Sequence, residues 1–96
     1  MEKSDLKKQL DEGLVTFTYI KKDGSERPAH GTTNIDVIRK LCGDEEAERF
    51  DCWRDEANFD TVPELTLYFD TDKLGLRNAY TKTVKVESVK AAKDVE

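Results

Sequence analysis

Apolar and polar residues alternate from Leu14 to Lys22, with Val15, Phe17 and Tyr19 on one face and Thr16 and Thr18 on the other. Period two in β-branched and aromatic residues predicts a strand. Lys22-Asp23-Gly24-Ser25 follows. Asp-Gly suits a tight hairpin turn, because both positions take positive φ at low cost. The chain then returns from Glu26 to Thr32, and Pro28, which lacks an amide donor, predicts a weaker, bulged or edge strand there. Alternation resumes after Pro63: Leu65, Leu67 and Phe69 share one face, Thr66 and Tyr68 the other. Asp70 to Gly75 makes a turn and Leu76 to Tyr80 a return strand. Thr81-Lys82-Thr83 breaks the run, and Val84, Val86 and Ser88 then alternate with Lys85, Glu87 and Val89.

Helical spacing appears in three places. Ser4 to Gly13 reads as a short helix with Ser4 as N-cap, Leu6 and Leu10 as its apolar stripe, and Gly13 in the left-handed conformation at its end. Two turns are unstable alone, so this helix must dock on the rest of the protein. Thr33 and Asn34 cap a second helix, Ile35 to Cys42, with Ile35, Ile38 and Leu41 at three-residue spacing. Gly43 ends it, and Asp44 caps a third helix to about Ala57, in which Ala47, Phe50, Trp53 and Ala57 share a face and Glu45 pairs with Arg49. The tail from Lys90 to Glu96 is charged and is expected to fray.

These elements predict a mainly β chain with short helices (α+β). The expected fold is a small five-stranded SH3-like or Sm-like barrel, with an N-terminal helix and a helical insertion between strands two and three. Closure of such a barrel removes exposed edges. The length of 96 residues fits a single domain over 1–96. The start, MEKSDLKKQL, lacks an apolar core, and no run is long enough to span a membrane. A cytoplasmic protein with reduced thiols is expected.

Charge refines this picture. The whole chain carries −5. The segment from Asp44 to Asp60 holds eight acidic residues and two arginines, so it carries −6 and the remainder +1. An acidic element is attached to a nearly neutral barrel, and the overall sign disfavours non-specific nucleic-acid binding.

The short helix, glycine and VTFTYIKKDGSER, the Thr32-Thr33-Asn34-Ile35 step, and the closing LTLYFDTDKLGLRNAYTKTVKV together resemble the WYL-like family of Sm-like SH3 β-barrel proteins. These are small proteins found largely in bacteriophages and bacterial mobile elements. The resemblance spans roughly Leu6 to Val89, apart from the acidic segment Asp44 to Asp60, which looks like an insertion. In related WYL domains, basic and aromatic barrel residues are implicated in ligand or nucleic-acid sensing. The resemblance carries Arg77 over as such a residue. Leu76 stands where the family usually has an aromatic, often Trp, and Ala79 or Tyr80 stands near a family Phe.

Candidate chemistry is sparse. His30, Cys42 and Cys52 lack the paired close spacing of zinc ligands. Asp70, Asp72, Lys73 and Gly75 lack the longer oxygen run and distal glutamate of a calcium loop, and read as a polar turn. With one histidine and no marked nucleophile, no catalytic constellation is expected, nor any cofactor. Two surfaces remain. Arg77, Arg27, Lys82 and Lys85, interleaved with Tyr19, Tyr68 and Tyr80, suggest a ligand or nucleic-acid stripe, or else core tyrosines with solvated cations. Glu45, Glu48, Asp51 and Asp55 suggest an acidic docking face for a basic protein partner, or else a solvated face over an apolar stripe (Phe50, Trp53) that caps the barrel. The expected function is a non-enzymatic binding module acting by protein–protein or regulatory contacts; the alternative is a nucleic-acid or nucleotide binder using Arg77. A homo-oligomer through strand edges fits either reading.

Overall fold

The structure, a computed structural model, describes residues 1–56 and 59–95. Its elements are α1 (Lys3–Glu12), β1 (Gly13–Ile20), β2 (Glu26–Thr32), α2 (Ile35–Cys42), α3 (Asp44–Arg54), β3 (Leu65–Asp70), β4 (Gly75–Tyr80) and β5 (Lys85–Ala91). Short 3₁₀ turns occupy Thr81–Thr83 and Ala92–Asp94. The five strands form one antiparallel sheet in the order β4-β3-β2-β1-β5. This is the predicted α+β arrangement, with a helix before β1 and helices between β2 and β3.

The sheet does not close by strand pairing: β4 and β5 are its two edges. The 3₁₀ turn at Thr81–Thr83 carries the chain away from β4, and β5 pairs with β1. The gap is bridged by one side chain instead. The Thr83 hydroxyl donates to the Tyr80 carbonyl (2.8 Å) and accepts from the Ile20 amide (3.0 Å). β2 pairs with β1 along its length but with β3 only at Gly31↔Asp70 and Thr32↔Phe69. Pro28 therefore lies where β2 has a strand neighbour on one side only, which accommodates its missing donor.

Two cores lie on opposite faces of β3. The inner one gathers Leu6 and Leu10 of α1 with Val15, Phe17, Tyr19, Ala29, Tyr68, Ala79 and Val84. Gly31 makes room for the Tyr68 ring: a Cβ there would stand 2.4 Å from it. Across β3, Phe69 meets Ile38, Ala47 and Phe50 beneath the α2–α3 pair. The more polar face of β3 (Thr66, Tyr68, Asp70) thus points into the barrel. The Thr66 and Thr81 hydroxyls pair there at 2.7 Å, which satisfies both buried groups.

The Thr32-Thr33-Asn34 step joins α1 to α2. Thr32 Oγ1 lies 2.7 Å from the Gly13 carbonyl and accepts from the Asn34 amide. Thr33 bonds Asp11, and Asn34 caps α2 by accepting from the Val37 amide at 3.1 Å.

Several local expectations are corrected. α1 begins at Lys3, with Glu2 in the cap position, so Ser4 is inside the helix. Gly13 is extended (φ 174), not left-handed. In the first hairpin only Gly24 has positive φ (86); the Gly24 amide bonds the Lys21 carbonyl and the Lys21 amide bonds the Ser25 carbonyl, a type I turn with a glycine bulge that does not require positive φ at Asp23. Leu41 is exposed rather than on the packed face of α2. Gly43 occupies the cap position of α3, so Asp44 is its first residue; the helix ends at Arg54, and Ala57 lies outside the described residues. Arg49 pairs with Glu46 at 2.7 Å, not Glu45, and its guanidinium lies over Trp53. The tail up to Val95 is ordered: β5 runs to Ala91 and Val95 is buried, while Glu96 lies outside the described residues.

Asp60 holds the junction between insertion and barrel. Its buried carboxylate receives Lys3 (3.1 Å), Lys7 (3.3 Å) and the Leu67 amide (3.0 Å). Among the described residues, no helix is long and apolar enough to cross a membrane.

Candidate functional site

The most chemically biased concavity is a groove of ≈ 450 Å³ between the β1–β2 hairpin and β4. Arg77, Asn78 and Tyr80 line one wall. They come from both faces of β4, so the groove follows that strand's unpaired edge. Tyr19, Lys21, Lys22 and Arg27 form the other wall, and Leu65 the remainder. Register explains the assembly. Tyr19 stands opposite Arg27 in the β1–β2 ladder, Tyr68 opposite Arg77, and Leu65 opposite Tyr80. Each arginine therefore rises beside a core tyrosine at the barrel mouth. Thr83 fixes the end of β1 against the end of β4 and so sets the width of the groove there.

Four cations line this groove and no carboxylate does. Behind the wall, buried Asp70 reaches Arg27 with Oδ2 (3.5 Å), while its Oδ1 accepts the Asp72 and Lys73 amides. Asp70 is thereby committed to holding Arg27 and the β3–β4 turn. Arg27 Nε is buried and has no hydrogen-bond partner among the described residues. The Tyr68 hydroxyl donates to the Tyr19 oxygen at 3.2 Å. The walls present hydrogen-bond donors, positive charge and two aromatic rings.

Burial, then the hydrogen bond to Tyr19, raises the Tyr68 hydroxyl well above the ordinary tyrosine value. Unfolded Tyr68 ionises near pH 10 while the folded residue stays protonated, so above that pH the unfolded state binds fewer protons and stability falls. Unfolding free energies from denaturant titrations are expected to fall as pH rises above about 10, by up to about 1.4 kcal/mol per pH unit from this group. Tyr68→Phe should show a shallower decline.

The structure brings together Arg77, Arg27, Tyr19 and Tyr80 of the sequence-predicted stripe and keeps Tyr68 in the core. It leaves out two cations: Lys82 lies beside Pro63 and Glu64 near the N-terminus, and Lys85 is exposed on β5, the opposite sheet edge. Lys21, Lys22, Leu65 and Asn78 join the site without having been picked out. Lys21-Lys22 before Asp-Gly was their one sequence signal, since a hairpin tip carries its flanking residues to one end of the sheet.

The acidic face lies elsewhere. Glu45, Glu48, Asp51 and Asp55 are all exposed, and Asp51 pairs with Arg54 at 2.9 Å. Phe50 of the same helix packs on Phe69 and Phe59, so α3 covers the outer face of β3 and does not cap the barrel. None of these four carboxylates lines the basic groove.

The other candidates have local partners. His30 Nδ1 meets Asp72 at 2.7 Å on the surface. Cys42 is partly buried; burial, then the Glu46 and Asp72 carboxylates, pushes its thiol up, which disfavours the thiolate. Among the described residues, no group of three or more His, Cys, Asp or Glu side chains is placed to hold a metal ion.

A family model described as WYL_2, Sm-like SH3 beta-barrel fold, matches residues 3–84 in one span that runs through the acidic segment. No curated protein and no solved structure matches the chain significantly.

Proposed function

The chain belongs to the WYL_2 family of Sm-like SH3 β-barrel folds, and from that premise we propose that it is a non-enzymatic binding module whose groove takes a single-stranded nucleic acid or a nucleotide. One observation carries this reading: four cations and two tyrosines converge on one groove that has no acidic lining. Cations meet phosphates, and a tyrosine ring accepts an unpaired base by stacking. The overall charge of −5 does not oppose this, because the segment from Asp44 to Asp60 carries −6 and the remainder +1.

Fluorescence anisotropy with a labelled single-stranded oligonucleotide at low salt tests the reading. Binding is expected to weaken with salt. Arg77→Ala, at an exposed position, should cost about 1–3 kcal/mol of affinity and reduce the salt slope by roughly one phosphate contact. An absence of binding at low salt overturns the proposal.

A second reading rests on the exposed carboxylates of α3. A basic protein partner docked there meets α3, none of whose residues lines the groove. Charge reversal at Glu45, Glu48 and Asp55 is expected to abolish capture of such a partner while the fold and groove binding persist; capture insensitive to reversal removes this reading.

A further inference from the structure

We propose that the groove recognises a terminal phosphomonoester, the phosphorylated end of a strand or a mononucleotide, in preference to the phosphodiesters within a strand; this rests on the nucleic-acid reading above. The first reason is size against charge. A groove of ≈ 450 Å³ is near the small end of ligand pockets, yet four cations line it. An internal diester brings one negative charge, whereas a terminal phosphomonoester brings about −1.5 to −2 at neutral pH.

The second reason is the deepest part of the site. Tyr19 is only 5% exposed, and Arg27 Nε is buried without a partner among the described residues. A buried donor left unpaired is unfavourable, so an oxygen that Arg27 shifts to meet gains selectivity from it. The Tyr19 oxygen already accepts the Tyr68 proton, which directs its own hydroxyl proton elsewhere. Asp70 is occupied by the turn amides and one end of Arg27, and it does not line the groove. The floor therefore offers donors, the complement of a group with unsubstituted acceptor oxygens. A diester has two substituted oxygens and two chain continuations to accommodate, and it meets the exposed cations of the rim more readily than the floor. Tyr80 and Leu65, opposite each other in the β3–β4 ladder, then flank the attached base.

The test compares one labelled oligonucleotide sequence at low salt in three forms, 5′-phosphorylated, 3′-phosphorylated and unphosphorylated, with inorganic phosphate and a nucleoside monophosphate as competitors. One phosphorylated form should bind about ten-fold or more tighter than the unphosphorylated form, as expected for charge-assisted bonds to a second anionic charge. Both competitors should reduce that advantage, and the nucleoside monophosphate should do so at lower concentration if Tyr80 holds a base. Tyr19→Phe keeps the ring and Arg27→Lys keeps a charge near Asp70; each should shrink the preference more than it weakens unphosphorylated binding. Equal affinity for all three forms overturns the end-recognition proposal and leaves the nucleic-acid reading standing. A preference that survives both substitutions also overturns it, because the selecting group then lies away from the floor. Failure of every oligonucleotide to bind overturns both.

Discussion

Gly13→Ala is expected to destabilise the protein by more than about 3 kcal/mol, beyond ordinary overpacking. Gly13 is buried at the junction of α1 and β1 and pairs with Ala91 of β5. A Cβ on it would stand 1.9 Å from the Lys90 carbonyl oxygen and 2.9 Å from the Ala91 Cα. Both are backbone atoms, so no side-chain rotation relieves the conflict. Either β5 moves off β1 or the end of α1 unwinds. Because β1 contributes Val15, Phe17 and Tyr19 to the inner core, either shift reaches the centre of the barrel. Urea denaturation measures the loss, and hydrogen exchange should show β5 amides losing protection first. Gly75→Ala is the matched control, since a Cβ there meets nothing within 4 Å. It is expected to be neutral or stabilising by up to about 1 kcal/mol. Equal stability of the two variants would refute this account of the junction.

The second large effect concerns the outer core. Phe50 is fully buried and meets Phe69 and Phe59 edge-on, with ring centroids 6.0 and 5.9 Å away. Phe50→Ala is expected to cost about 3–5 kcal/mol through lost burial and the cavity left behind. The damage should be uneven. The outer cluster draws on the sheet through Phe69 and Leu76, whereas the inner core joins α1 to all five strands or their flanks. Amides of α2 and α3 should therefore lose exchange protection while β1 and β2 keep theirs. Trp53→Ala, at a half-buried position under Arg49, should cost only about 1 kcal/mol, as a partly exposed cation–π contact implies. If Phe50→Ala costs no more than Trp53→Ala, α3 is not anchored as described.

Strands, and the cap of α2, were legible where local sequence decides them. Alternation from Val15 to Tyr19 placed β1 and its buried face, and Asn34 caps α2 as its type and position predict. Alternation could not rank the faces of β3. Leu65, Leu67 and Phe69 form the more apolar face, yet Tyr68 fills the barrel and Phe69 serves the second core. Both faces are covered, so period two identifies the strand and leaves its orientation open. The groove was half legible. Arg77 followed from the family pattern and Arg27 from its charge. Lys21, Lys22 and Asn78 enter because β2 leaves β3 after two paired positions and brings the hairpin tip over to β4. That corner depends on non-local packing, which no window of sequence records. The same cause excludes Lys85, a cation of similar character on the wrong edge.

Asp60 alters where the acidic segment should be considered to end. By composition it is the last acid of that segment; by its bonds to Lys3, Lys7 and the Leu67 amide it is a keystone of the barrel. Its charge is neutralised internally and adds little to the field that a partner of α3 would meet. The separable unit, for grafting the helical pair onto another scaffold or trimming it from this one, therefore stops short of Asp60. A cut that removes this residue strands two lysines and loosens the N-terminal helix, however cleanly the helices themselves are excised.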